Sequence, residues 1–82
     1  MLYEIEIKLK AVKDCKKFKN SEVKLIFDKI EQMKYDLKGD IKKLTNFTPE
    51  YRLRVRNYRI LFEIIEKKII IHRIKHRKES YK

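Results

Sequence analysis

Residues 51–64 read YRLRVRNYRILFEI, and the fold turns on how this stretch alternates. Arg52, Arg54 and Arg56 fall on one phase, Leu53 and Val55 on the other. Successive side chains of a strand point to opposite faces, so the segment predicts a half-buried strand with an arginine-bearing open face. Asn57 and Tyr58 interrupt the pattern, and residues 59–65 resume it as a second β-rich run. A two-residue turn at Asn57-Tyr58 predicts a hairpin that pairs Arg56 with Arg59, Arg54 with Leu61 and Arg52 with Glu63. Arg52, Arg54, Arg56 and Arg59 then share one face, where four guanidinium groups repel one another unless an anion meets them. Glu63 alone does not balance them.

Outward from the hairpin, the chain divides simply. Residues 2–9 alternate Tyr3, Ile5, Ile7 and Leu9 against Leu2, Glu4, Glu6 and Lys8, which predicts a strand with one buried face. Residues 11–18 carry Ala11, Val12, Cys15 and Phe18 at the spacing of one helix stripe. Asn20-Ser21 is the expected N-cap of a second helix, with Glu22 in its first turn. That helix shows Val23, Ile26, Phe27, Ile30 and Met33 or Lys34 on one face and is expected to run to about Leu37 and stop at Gly39. Residues 41–50 read as a connection anchored by Leu44, Phe47 and Pro49. After the hairpin, residues 66–68 are a second turn, residues 68–74 a last strand centred on three isoleucines, and residues 76–82 a polar tail. The order is β-α-α-β-β-β. It predicts an α+β fold of two layers, an N-terminal helical hairpin packed on a mainly antiparallel four-stranded sheet. The helices cover Leu53, Val55, Ile60, Phe62 and Ile64, and the arginines keep the other face.

The 82 residues make a single domain (residues 1–82), which buries only roughly 60% of its unfolded surface and leaves no room for a cofactor domain. The single cysteine, Cys15, excludes an internal disulfide and fits a reducing compartment. No apolar run approaches the ~20 residues that span a bilayer, and the acid-bearing N-terminus does not resemble a signal or transit peptide. A cytoplasmic location without membrane contact is the expectation. The net charge is +11, with 23 Lys and Arg against 12 Asp and Glu, and this points to a polyanion or an acidic partner. Lysines are spread along the chain, but every arginine (Arg52, Arg54, Arg56, Arg59, Arg73 and Arg77) follows Tyr51. Arginine's planar fork suits bidentate phosphate contacts, so the segregation suggests a site rather than a solvent coat.

The run YRLRVRNYRILFEI, an apolar strand and then HRKESY resemble the C-terminal half of the RelE/ParE superfamily of toxins from toxin–antitoxin modules. The specific match covers about residues 49–81, and the helical half is compatible with it. The resemblance implies a ribosome-dependent mRNA interferase of RelE type, which enters the ribosomal A site and cuts the exposed codon on a concave basic face. The ribose 2′-hydroxyl attacks the adjacent phosphate and leaves a 2′,3′-cyclic phosphate, with no metal or other cofactor. Carried over by position, Arg52 and Arg54 match two basic residues of the first hairpin strand, and Arg59 the arginine after the turn. Arg77 matches the arginine that ends the last strand, and Tyr81 the tail tyrosine. With the candidates that the faces and proton chemistry add, the expected catalytic set is Arg54, Arg59, Arg77, Tyr81 and His76, and the expected RNA contacts are Arg52, Arg56, Arg73 and Lys75. The partners it implies are a RelB-like antitoxin, the ribosomal A site and mRNA.

Physical chemistry agrees with most of these roles. In-line attack builds charge on the phosphate oxygens, which preorganised guanidinium groups stabilise, and an aromatic ring beside the cleft stacks on any base. The general base is where the sequence departs from relatives with a lysine at the Arg54 position, because arginine stays protonated. His76, His72 and Glu63 are the remaining proton-transfer candidates, with His76 favoured. An even-numbered second turn predicts His72 and His76 on the Arg59 face; an odd one predicts Arg73, Lys75 and Arg77 there.

Plainer readings stand beside these. His72 and His76 are four apart on a strand, which is not the helical spacing of a metal pair, so no metal site is expected. Cys15 reads as core packing, Tyr3, Tyr35, Tyr51 and Tyr58 as core or turn residues, Arg73 as a solvated strand charge and Glu63 as a salt-bridge partner of Arg52. A ParE-type inhibitor of DNA gyrase, without enzymatic activity, is the alternative on the same scaffold. Its relatives tend to lose the arginine–tyrosine tail and lengthen the helical hairpin.

Overall fold

The alternation in residues 51–64 does produce a hairpin, but its turn lies one residue earlier than the sequence predicts. In the computed structural model, which describes residues 2–46 and 48–80, the chain runs β1 (Glu4–Ile7), α1 (Leu9–Asp14) and α2 (Asn20–Gln32). It continues through β2 (Asp40–Lys43), β3 (Tyr51–Val55), β4 (Tyr58–Ile65), β5 (Lys68–His76) and a last short helix, α3 (Arg77–Ser80). Arg56 and Asn57 form the β3–β4 turn, and Val55 pairs with Tyr58, Arg54 with Arg59, Leu53 with Ile60 and Arg52 with Leu61. Tyr58 therefore stands in the strand, buried, instead of in the turn. Burial of its ring explains the choice, and Arg56 takes up the positive φ (52°) that the tight connection needs. Each pairing is offset by two positions from the expected one. An even offset leaves every side chain on its predicted face.

The sheet has five strands, not four, in the order β1-β5-β4-β3-β2. β1 runs parallel to β5, and the other neighbours are antiparallel, so the sheet is mixed. The extra strand, β2, lies at the edge within the segment that reads as a connection. Its sequence, DIKK, has one apolar residue, Ile41, opposite the buried Leu53. An edge strand with a single inward residue leaves no period for sequence reading to detect. Between β2 and β3 the loop closes on itself where the Leu44 N–H donates to the Glu50 carbonyl (2.6 Å).

Both helices pack on the face that carries Leu53, Val55, Ile60 and Phe62. Ala11, Cys15, Ile26, Ile30 and Met33 meet these residues and Ile69, Ile71 and Ile74 in one core. α1 starts two residues earlier than expected and tightens into a 3-10 turn at Cys15–Lys17. Val12, expected on the buried stripe, is exposed, while Ala11 and Cys15 are buried. α2 begins at Asn20 itself, with Lys19 at the N-cap and no capping side chain, so Asn20-Ser21 forms its first turn and not its cap. The helix also ends early, at Gln32. Asp36 and Leu37 adopt positive φ (59° and 56°), and Tyr35 bridges to Leu2. Gly39 follows at φ 133°, where a Cβ would stand 2.7 Å from Cδ1 of Leu53. Glycine is therefore needed to enter β2, not to cap the helix.

The second hairpin turn holds only Glu66 and Lys67, and β5 extends to His76. Near this turn Glu63 faces Ile70 and Phe62 faces Ile71; beyond it Leu61 faces Arg73, which leaves His72 as one extra residue in a β-bulge. The turn is even, yet the bulge shifts the register by one. Arg73 and Lys75 thus join the face of Arg59, and His76 is carried to the opposite one. No helix among the described residues is long and apolar enough to cross a membrane.

Candidate functional site

The face of the sheet away from the helices carries the arginines in rows. Arg54, Arg59 and Lys75 are consecutive cross-strand neighbours on β3, β4 and β5, and Arg52, Leu61 and Arg73 form the next row. The Arg77 N–H donates to the Asn57 carbonyl, which ties the end of β5 to the β3–β4 turn. That bond brings Arg77 to a small cleft it shares with Arg54, Arg56 and Arg59, beside Asn57 and Tyr58. Four arginines, from β3, the β3–β4 turn, β4 and the start of α3, line this one small opening of about 10 Å³.

Two predicted RNA contacts have carboxylate partners. Arg52 donates to the Asp40 carbonyl (3.0 Å), with the Asp40 carboxylate at 3.5 Å. Arg73 grips Asp14 with two bonds, Nε at 2.8 Å and a terminal nitrogen at 2.9 Å, and the Ile74 N–H donates to the same carboxylate (3.0 Å). β1 stops pairing with β5 at Ile71, so Asp14 covers the stretch of β5 edge that β1 leaves open. Burial opposes the charge on Asp14, but the bonds from Arg73 and Ile74, with the charges of Arg73 and Lys17, outweigh it and hold the carboxyl below its ordinary value. Neither Asp14 nor Asp40 is signalled by the sequence. They lie 59 and 12 positions from the arginines they meet, and only the register joins them.

The proton-transfer candidates separate. Glu63 does not pair with Arg52; its Oε1 lies 2.9 Å from Nε2 of His72, the bulge residue, on the arginine face but rows away from the cleft. His76 turns its ring to the helix side, edge-on to Tyr58 (centroids 5.1 Å apart), and its Nδ1 accepts the Lys78 N–H. The structure thus brings together Arg54, Arg56, Arg59 and Arg77, with Lys75 alongside, and leaves His76 apart from them. Tyr81 lies outside the described residues. Among the described residues no cluster of His, Cys, Asp and Glu could hold a metal ion. Burial pushes the Tyr58 hydroxyl above its ordinary value, helped by the negative charge of Glu22 and by Cys15.

Residues 5–81 match the family described as the ParE toxin of the type II toxin–antitoxin system parDE. The chain belongs to the RelE/ParE toxins. Within this family it is a RelE-type toxin of a toxin–antitoxin module. Toxin RelE3 of Methanocaldococcus jannaschii is 43% identical to it over 61 residues, which cover 72% of this chain and 69% of that protein. The putative toxin RelE1 of the same organism is 31% identical over 88 residues, covering 100% of this chain and 98% of its own. Among solved structures, a chain of the RelB–RelE antitoxin–toxin complex from Methanococcus jannaschii superposes with a TM-score of 0.77 at 37% identity, over 92% of this chain and 93% of that one. The archaeal RelE–RelB complex from Pyrococcus horikoshii shares the fold, with a TM-score of 0.76 at 24% identity over 94% and 97% of the two chains. The RelE-like fold expected from residues 49–81 thus extends through both helices.

Proposed function

We propose that this RelE-type toxin is a ribosome-dependent mRNA endonuclease whose centre is the arginine cleft. The observation that carries the reading is the convergence of Arg54, Arg56, Arg59 and Arg77 on one opening. Like charges are gathered at a cost in stability, and a phosphodiester is the anion that repays it by accepting from several planar forks at once. In this reading the ribose 2′-hydroxyl gives its proton to water as its oxygen attacks the adjacent phosphorus, the bond to the 5′-oxygen breaks, that oxygen takes a proton from water, and a 2′,3′-cyclic phosphate remains. Arg54 and Arg59 stabilise the charge that grows on the non-bridging oxygens. Arg77, tethered to the turn through Asn57, holds the scissile phosphate from the other side and faces the leaving oxygen. Arg56 and Lys75 hold flanking phosphates. Arg52 and Arg73, whose charges are already met by Asp40 and Asp14, border the same face. Tyr81 stacks on a base. His76 keeps the chain on course into Arg77, its ring being on the helix side.

The cognate partner is a RelB-like antitoxin, as in the complexes that share this fold, and it blunts the +11 charge of the toxin. The ParE description of the matched family supports a second reading, a gyrase inhibitor without enzymatic activity. The short helical pair, 6 and 13 residues, favours the nuclease.

The two part on 5′-end mapping of cellular mRNA after brief induction, with a matched message lacking its start codon as control. Cuts within codons of the translated message alone are the expected result. Intact messages with DNA damage would replace the nuclease by the gyrase inhibitor.

A further inference from the structure

On the helix side of Tyr58, back to back with the arginine cleft, lies a second and larger opening of about 410 Å³. This is within the range of small-molecule sites. Three rings form its wall: Phe18 stands edge-on to Tyr58 (4.7 Å, 64°), and Tyr58 edge-on to His76 (5.1 Å, 88°). Its rim is cationic, with Lys17, Lys19 and Lys78 exposed around it. Glu22 completes the lining. Its Oε2 is closed off from solvent and meets no hydrogen-bond donor among the described residues.

Core packing accounts for Phe18 and Tyr58, but not for a carboxylate oxygen enclosed without a donor, which is held at a cost. The last torsion of a glutamate is broad, so a donor arriving in the opening can draw the carboxylate round and relieve that cost. An occupant that suits the whole lining must be flat and apolar at one end, carry N–H donors on that end, and be anionic at the other. An acidic peptide supplies the anion but no flat, donor-bearing ring, and a basic one is repelled by the three lysines. A nucleotide meets every requirement.

We propose that this opening is a nucleotide subsite in which Glu22 accepts from the pairing edge of a guanine base. The rings of Phe18, Tyr58 and His76 flank the base, and Lys17, Lys19 and Lys78 take its phosphate. Guanine is the base of choice because its N1–H and exocyclic amine are adjacent donors that one carboxylate can meet together, whereas uracil offers a single N–H. Tyr58 lines both openings, so a strand held at the arginine cleft reaches this subsite by crossing the β3–β4 turn. Only this last step rests on the proposed nuclease function; the subsite itself does not.

The test is an NMR titration of the ¹⁵N-labelled toxin with guanosine 5′-monophosphate and, separately, uridine 5′-monophosphate at low salt. Saturable shifts at Phe18, Glu22 and Tyr58, with guanosine monophosphate bound about tenfold tighter, are expected. Glu22→Gln should erase that preference, and Lys19→Ala, on the exposed rim, should weaken both nucleotides equally. Equal affinity for the two nucleotides, or shifts confined to Arg54, Arg59 and Arg77, would overturn the subsite. The mRNA mapping reports on the nuclease reading alone. Intact messages with a guanine preference that depends on Glu22 would leave the subsite standing, and codon cuts without the preference would remove only the subsite.

Discussion

Arg54 and Arg59 stand directly opposite each other across the β3–β4 ladder, both on the face opposite α1 and α2. Like charges so placed destabilise a sheet by roughly 0.2–1 kcal/mol. Arg54 is the member of the pair whose removal separates a role in folding from a role in chemistry. Arg54→Gln is expected to raise the free energy of urea unfolding slightly, by no more than about 1 kcal/mol, while mRNA cleavage falls about 10²–10³-fold. Added salt should narrow the stability gap between the two proteins, because it screens exposed charges. A variant that loses stability along with activity would mean that Arg54 serves the fold.

Arg73 is the opposite case. Its hold on Asp14, reinforced by the Ile74 N–H, caps an open strand edge, so Asp14→Asn should cost roughly 1.5–3 kcal/mol, the range for hydrogen bonds to a charged group. The sign of the pH dependence follows from the direction of the shift. Asp14 has its folded-state pKa lowered, so its contribution is complete above the ordinary aspartate value and is lost as pH falls through the depressed one. Denaturation midpoints measured from neutral pH downward should fall less steeply for Asp14→Asn than for the parent chain. Parallel slopes would show that the carboxyl is not depressed.

The difference between these two arginines marks how far the sequence could be read. Strict alternation around Leu53 and Val55 made the β3 face legible, and the same run carried the family. A half-turn error in the hairpin did no harm, since moving the pairing by an even number conserves faces. His72 was another matter. One extra residue in the middle of β5 reverses the face of everything after it, and neither its composition nor its spacing announces a bulge. For that reason His76 could be placed beside Arg59 from the sequence and is found beside Tyr58. β2 escaped because a four-residue edge strand is held by backbone bonds that any side chains allow. Asp14 and Asp40 escaped because partners so distant in sequence meet only after the register is known.

Gly39 provides a test of the path into that edge strand. At φ 133°, with Cδ1 of Leu53 only 2.7 Å from where a Cβ would stand, Gly39→Ala should destabilise by more than about 1 kcal/mol. Leu53 lies in the core and cannot move aside without disturbing Ile41 and Ile60, its neighbours across the ladders. Thermal unfolding of the variant gives the answer directly. A melting temperature equal to that of the parent would show that the approach to β2 is softer than the structure describes.

Deletion of His72 is the sharpest test of the bulge. Without the extra residue, Phe62 opposite Ile71 and Leu61 opposite Arg73 become consecutive pairs of a regular ladder. Lys75 then stays opposite Arg59 and His76 opposite Tyr58, so the cationic face should survive. Glu63 loses its 2.9 Å partner, and the local twist that a bulge adds is lost with it. The expected outcome is a folded toxin whose NMR contacts between Arg59 and Lys75 persist, with cleavage reduced more than stability because Arg77 is aimed differently at the turn. If the deletion instead brought His76 beside Arg59, the ladder beyond the break would still be one residue out of step with the ladder at the turn, so the bulge would have re-formed at a neighbouring residue and would not belong to His72.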